Sequence, residues 1–175
     1  MNEASRTRAD DQLPVSTLGK QRESAYSYRP DLLEAVPFAG DAHDPEESPW
    51  VSLHALRFTS LCPVTGQPDW AEITINYLPA LSLVESKSLK EYLGSFRMHG
   101  DFHEDVCRII CDDLVQLLSP LYLEVLGRFD SRGSIAIWPY VQYAADHHEE
   151  AQAIRRHRRL NYVPGAWAPA RGSVQ

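Results

Sequence analysis

The chain has 175 residues, with 17 Lys and Arg against 24 Asp and Glu and a formal charge of −7, which suits one domain with tails and a molecule that as a whole repels polyphosphate. Hydrophobic residues at 43% and charged residues at 23% exclude a wholly disordered or low-complexity protein. The N-terminus lacks an apolar core, no apolar run reaches the roughly 18 residues of a membrane span, and Cys62, Cys107 and Cys111 are too few for a disulfide framework, so a cytoplasmic protein with free thiols is expected.

Residues 1–49 hold ten Asp or Glu and five Lys or Arg among scattered prolines, without sustained periodicity; they read as a partly ordered arm. Tyr26, Tyr28, Leu32, Leu33, Val36 and Phe38 are too many large apolar groups to stay wholly solvated, so the arm is expected to dock on a core or on a neighbouring subunit. From Trp50 the pattern changes. Val51 to Phe58 alternates as a strand with one buried face, a loop from Thr59 to Pro68 follows, and Trp70 to Tyr77 alternates again until Pro79. An antiparallel pair joined by the Cys62 loop is predicted.

A helix is expected around Ser88 to Arg97, with Ser88 and Glu91 spaced as a capping box. A second follows Gly100: Phe102, Val106, Ile109, Ile110, Leu114, Leu117 and Leu118 recur at three- and four-residue steps, ending at Pro120. Asp101 stands where its N-cap belongs, with Glu104 and Asp105 in the first turn. Tyr122 to Phe129 and Ser134 to Tyr143 read as strands around a turn containing Asp130 and Gly133. The order β-β-α-α-β-β over residues 50–144 makes an α+β fold, an antiparallel sheet with two helices on one face. Residues 145–175 are expected as a terminal helix followed by a frayed tail from Gly165.

Cys62 lies in a loop rather than on an apolar face, where packing explains a cysteine poorly. As a thiolate it is a nucleophile, but a free thiol has a pKa of about 8.5 and needs a cation, dipole or base beside it. Asp69, seven residues on, is close enough to face the same cleft as proton donor or acceptor; an Asp after Pro also serves as a turn cap. Glu85, Ser86, Lys87, Ser88 and Lys90 bring an acid, hydroxyls and ammoniums to a helix mouth, which suits phosphate but equally suits capping and solvation. His99 and His103, with Cys107 and Cys111 continuing at steps of four, suggest zinc, yet Gly100 and the Asp101 cap put His99 off the helix face and the cysteines border the apolar stripe. Arg132 and Gly133 offer a guanidinium in a turn. Arg155, Arg156, His157, Arg158 and Arg159 form a dense basic run, read as an RNA-facing helix or a solvated one.

The loop Phe58 to Asp69, the segment Glu85 to Lys90, and Gly100-Asp101-Phe102-His103-Glu104-Asp105 occur in this order, and together they resemble the QueF family of NADPH-dependent 7-cyano-7-deazaguanine reductases of queuosine biosynthesis, in its shorter form. The similarity runs from about Trp50 to Tyr143. It implies a tunnelling fold (T-fold) in a cytoplasmic homo-oligomer, two pentamers paired into a decamer with sites between subunits. It further implies that Cys62 attacks the nitrile carbon to form a thioimide, that Asp69 protonates the nitrogen, and that two NADPH take the nitrile to an amine. Val84, Glu85, Ser86, His103 and Glu104 match substrate-contacting positions, with the Glu104 carboxylate on the guanine-like edge; Ser86, Lys87, Lys90, Arg132 and Gly133 match cofactor-contacting ones. Glu91 departs from the apolar or aromatic residue usual at its position. No metal and no direct nucleic-acid contact are implied.

The rival readings are a zinc-dependent tunnelling-fold pterin or purine enzyme, which requires three good ligands; a non-catalytic RNA-binding module using the Arg155 to Arg159 helix; and a nitrile hydrolase releasing ammonia and acid. Reduction ranks above all three.

Overall fold

The computed structural model describes residues 27–38 and 49–162. Its centre is a four-stranded antiparallel sheet formed by β2 (Val51–Leu61), β3 (Pro68–Leu78), β5 (Tyr122–Phe129) and β6 (Tyr140–Ala144), in that spatial order. A second, two-stranded sheet pairs β1 (Ala35–Pro37) with β4 (Ser82–Val84). The helices are α1 (Ser86–Ser95), α2 (His103–Leu118) and α3 (Glu149–Leu160).

One irregularity in β2 decides where the Cys62 thiol points. Ala55 pairs with Ile73, but the next registered partners are Phe58 and Ala71, so β2 carries one extra residue at the exposed pair Leu56 and Arg57. Side chains alternate along a strand, and an inserted residue inverts the parity beyond it. Leu53 and Ala55 meet the core before the bulge; Phe58, Ser60 and Cys62 do so after it. On β3 the inward set is Asp69, Ala71, Ile73, Ile75 and Tyr77, and on β5 it is Leu123, Val125, Gly127 and Phe129.

The inward face is closed by α2, whose Val106, Cys107, Ile110, Cys111, Leu114 and Leu118 are buried at helical spacing. Gly127 permits this approach, since a Cβ there would lie 2.5 Å from Cys107 Sγ. The helix stops at Ser119, held at φ 43° before Pro120. Leu89, Tyr92 and Phe96 bring α1 and the following 3-10 turn, Phe96–Met98, into the same core.

Several expectations need correction. Both β2 and β3 are longer than the alternating runs, and Cys62 directly follows a strand in a tight hairpin rather than lying in a long loop. The N-cap of α1 is Glu85, whose carboxylate accepts from Lys87 N and Ser88 N at 2.9 and 2.7 Å. Ser88 is instead buried one turn in, its hydroxyl donating to Glu85 O. Likewise Asp101 does not cap α2: Phe102 holds that position without a side-chain bond, and Asp101 pairs with His99 Nε2 at 2.7 Å. The last strand begins at Tyr140, six residues later than Ser134, because Arg132 to Ile135 closes a two-residue turn and Pro139 has no N–H for a ladder.

Of the arm, Leu32 and Leu33 pack partly on the core, and Tyr28 packs on Tyr92, Phe96 and His99 while its hydroxyl donates to Asp113. Val36, expected to dock, is exposed. Tyr26 and the tail from Gly165 lie outside the described residues. Among the described residues no helix is long and apolar enough to cross a membrane.

Candidate active site

The hairpin between β2 and β3 is closed by Cys62 N donating to Gln67 O and Gly66 N donating to Cys62 O, with Gly66 at φ 68°. This fold turns the chain after Pro63 so that donors gather at the sulfur. Arg132 donates to it first of all, then the Thr65 hydroxyl, then the amides of Thr65 and Val64, and together they lower the Cys62 pKa from 9.0 to about 6. The thiol is 8% exposed, and it is the thiolate that dominates at neutral pH. Cys107 and Cys111 are the contrast: burial in the apolar core pushes both up to about 12, so they are inert packing groups.

Asp69 belongs to β3 and lies opposite Ser60 in register. Its carboxylate is buried, with Oδ1 2.9 Å from Arg132 Nε and Oδ2 3.1 Å from His103 Nε2. Neither contact has hydrogen-bond alignment, and Ser60 Oγ, both Asp69 oxygens and His103 Nδ1 are buried without a hydrogen-bond partner. Buried polar atoms are nearly always satisfied. A cluster that is not satisfied, facing a thiolate, is suited to receive the polar groups of a ligand.

His103 begins α2 and lies flat on Phe129 of β5, ring centroids 3.9 Å apart and planes at 6°. The helix start is anchored to the end of β2 by Leu61 N donating to His99 O and by the bridge from Leu61 to Gly100. Glu104 is exposed in the first turn. Arg132 comes from the turn Arg132-Gly133-Ser134-Ile135, where Gly133 at φ 57° and Ser134 at φ 72° are the two positive-φ positions of a primed hairpin turn. The structure thus brings together Cys62, Asp69, His103 and Arg132.

It does not bring Val84, Glu85, Ser86, Lys87 or Lys90 to that cluster. No hydrogen bond or ion pair among the described residues joins the two groups. Val84 is buried, and its N–H donates to the Tyr77 hydroxyl at 3.3 Å. Ser86 and Lys90 border a separate cavity of about 370 Å³ between β2 and α1, together with Arg57 and Arg97. Hydroxyl and cationic side chains around one cavity suit the phosphates of a dinucleotide.

Sequence reasoning missed the contact of Arg132 with the thiol and carboxylate, and the donors Val64 and Thr65. The signal for the latter was present, since Pro63 after Cys62 and Gly66 beyond it define a turn whose amides point inward. The zinc rival requires three ligands, and among the described residues no group of three His, Cys, Asp or Glu could hold a metal. His99 instead faces Asp101, while Cys107 and Cys111 face the core.

Residues 68–148 match the family described as QueF-like protein. A Bacteroides fragilis protein named NADPH-dependent 7-cyano-7-deazaguanine reductase is 48% identical over 148 residues, covering 85% of this chain and 95% of that protein. Proteins of the same name from Bdellovibrio bacteriovorus and Staphylococcus aureus are 49% and 45% identical, covering 81% and 89% of this chain and 81% and 92% of their own. The solved apo structure of an archaeosine synthase QueF-Like aligns with TM-score 0.53 at 20% identity, over 57% of this chain and 98% of that one. The fold is shared with it.

Proposed function

This chain belongs to the family of NADPH-dependent 7-cyano-7-deazaguanine reductases, and from that premise we propose that its Cys62 cluster carries out the reduction of that nitrile to 7-aminomethyl-7-deazaguanine for queuosine synthesis. The observation that supports this most is a thiolate turned by a β-bulge toward the same cleft as a buried carboxylate. A nitrile carbon is a weak hydride acceptor. Addition of Cys62 Sγ converts it to a thioimide, with the new C–S bond formed as one C–N π bond breaks and the nitrogen takes a proton. Asp69 delivers that proton, and His103, 3.1 Å away, returns one to it. After the first reduction the C–S bond breaks, the thiolate leaves to the Arg132 side, and the imine takes the second hydride and proton.

NADPH supplies the hydrides, one from each of two molecules. Ser86, Lys87 and Lys90 at the mouth of α1, with Arg132 and Gly133, are the residues we assign to holding it. Glu104 accepts from the N–H groups of the guanine-like edge beside His103; Val84, Glu85 and Ser86 make the other substrate contacts. These groups stand apart within one chain, so a complete site requires the α1 mouth of one copy against the Cys62 cluster of another. That is the reason to infer a homo-oligomer with sites between subunits, as in a decamer of two pentamers. A thiolate nucleophile also belongs in the reducing cytoplasm.

The experiment mixes the protein with 7-cyano-7-deazaguanine, first alone and then with NADPH, while intact mass and nicotinamide absorbance are followed. Wild type forms an adduct and then consumes two NADPH per amine; Cys62→Ala forms none. Absence of adduct and of oxidation with folded wild-type protein overturns the reading. Ammonia in place of amine redirects it to nitrile hydrolysis.

A further inference from the structure

A second cavity, of about 480 Å³, opens at the edge strand β6, between α2 and α3. None of Cys62, Asp69, His103, Arg132 or the segment 84–90 lines it. Three guanidiniums converge there: Arg108 from α2, and Arg155 and Arg159 one turn apart on α3. No carboxylate among the described residues pairs with any of the three, whereas the adjacent Arg158 is held by Glu124 at 2.7 Å. Like charges one turn apart on a helix repel. On a chain of net charge −7, such a cluster around a concavity concentrates positive potential where an anion can relieve it.

The other wall is aromatic and fixed in place. Tyr140 and Tyr162 stack with centroids 4.7 Å apart and planes at 4°. Trp138 is tethered by its Nε1 donating to Phe129 O at 3.3 Å, with the Arg128 guanidinium 5.0 Å over its ring. Arginine forks grip phosphate oxygens in pairs, and flat Tyr or Trp faces stack nucleobases with little sequence preference. The volume lies in the range of small-ligand pockets, about 300–1,000 Å³, and admits one nucleotide rather than a continuous strand.

We propose that this cavity binds a nucleoside di- or triphosphate, its phosphates on Arg108, Arg155 and Arg159 and its base on the Tyr162 and Trp138 wall. Bound there, the nucleotide ties α3 to α2 across the edge of β6. The same chemistry is offered by a free nucleotide and by the phosphorylated end of an RNA strand.

The test titrates the full-length protein at low salt with GDP, GTP, ADP, pyrophosphate, guanosine and a 5′-phosphorylated single-stranded oligoribonucleotide. Each titration is repeated on Arg155→Gln/Arg159→Gln, on Arg108→Gln and on Trp138→Leu. The nucleoside diphosphates are expected to bind at least tenfold more weakly to the double variant and several-fold more weakly to the other two. Trp138→Leu leaves pyrophosphate binding unchanged, and the KM for NADPH in nitrile reduction is unchanged in the double variant. Oligoribonucleotide binding a hundredfold tighter than GDP assigns the site to an RNA end. The proposal is overturned if folded wild type binds none of these, if nucleotide binding survives Arg155→Gln/Arg159→Gln undiminished, or if pyrophosphate binds as tightly as GDP.

Discussion

Arg132 Nε lies 2.9 Å from Asp69 Oδ1, and the same guanidinium donates to the sulfur of Cys62. Cofactor contact alone would not require that position, because the side chain bridges the thiol and the carboxylate of its own chain. A cation beside a thiol favours the charged form, so removing it raises the pKa. Arg132→Gln is expected to move the midpoint of Cys62 alkylation by iodoacetamide from about 6 in wild type toward the ordinary thiol value of about 8.5. Wild type keeps its reactivity until the pH falls through the lower midpoint; the variant loses it well above that. The measurement is made without NADPH. An unmoved midpoint would leave Arg132 with a cofactor role only.

Glu85 separates two duties that one substitution to alanine would confuse. Its carboxylate caps α1 through Lys87 N and Ser88 N, and those two amides, in that order, hold its pKa below the usual carboxylate range. Loss of an N-cap costs about 0.5–2 kcal/mol, but serine caps nearly as well. Glu85→Ser is therefore expected to keep the melting temperature within a few degrees while weakening 7-cyano-7-deazaguanine binding about tenfold or more. Glu85→Ala loses both. If Glu85→Ser binds substrate as wild type does, Glu85 is a cap and nothing else.

What the sequence revealed and what it hid follow from the physics of each residue. The apolar period of α2 and the alternation of β3 are local patterns, and both elements form where those patterns lie. The bulge at Leu56 and Arg57 was invisible, because Val51 to Phe58 looks like a continuous strand unless its partner's register is known. Ser88 resembled a cap because of Glu91 three residues on, yet Glu85 took the role once β1 placed Glu34 O against its N–H and the Ser88 hydroxyl. Cys62 and Asp69 were legible through the motif that contains them. Arg132 was found at its position but not in its contacts, since it lies 70 residues from Cys62 and 63 from Asp69 in sequence, separations no local pattern spans.

Gly127 faces Cys107, and an added methyl there would meet the sulfur at 2.5 Å and Phe129 Cε2 at 2.9 Å. Neither neighbour is a flexible side-chain end: one lies in the helix stripe and the other is the ring on which His103 rests. Overpacking of this kind costs about 1–3 kcal/mol. Gly127→Ala is expected to lower the melting temperature and to reduce turnover as well, through displacement of His103. Adding Cys107→Ala relieves the sulfur clash but not the ring clash, so stability recovers in part while activity stays low. Full recovery of both in the double variant would show that Phe129 does not position His103.

Glu124 is a buried carboxylate that α3 comes to satisfy. It is 2% exposed and accepts from Arg158, Asn76, Tyr122 and Tyr140 on the sheet face away from α2. Burial first, and then the Glu124 charge, push the Tyr122 phenol far above its ordinary value, so it stays a donor at any working pH. Arg158, whose guanidinium also lies 5.5 Å over the Trp50 ring, is one of the groups that fix α3 to the sheet, beside the buried Ala151 and the Gln152 amide that donates to Ala144 O and Ala145 O. Removing one partner of a buried pair strands the other charge and costs about 3–5 kcal/mol, whereas replacing both is far cheaper. Arg158→Met is therefore expected to destabilise strongly and to expose the α3 amides to hydrogen exchange, and Arg158→Met/Glu124→Gln to regain most of the loss. A double variant no better than Arg158→Met would mean that the neutral donors around Glu124, rather than the ion pair, hold this face together.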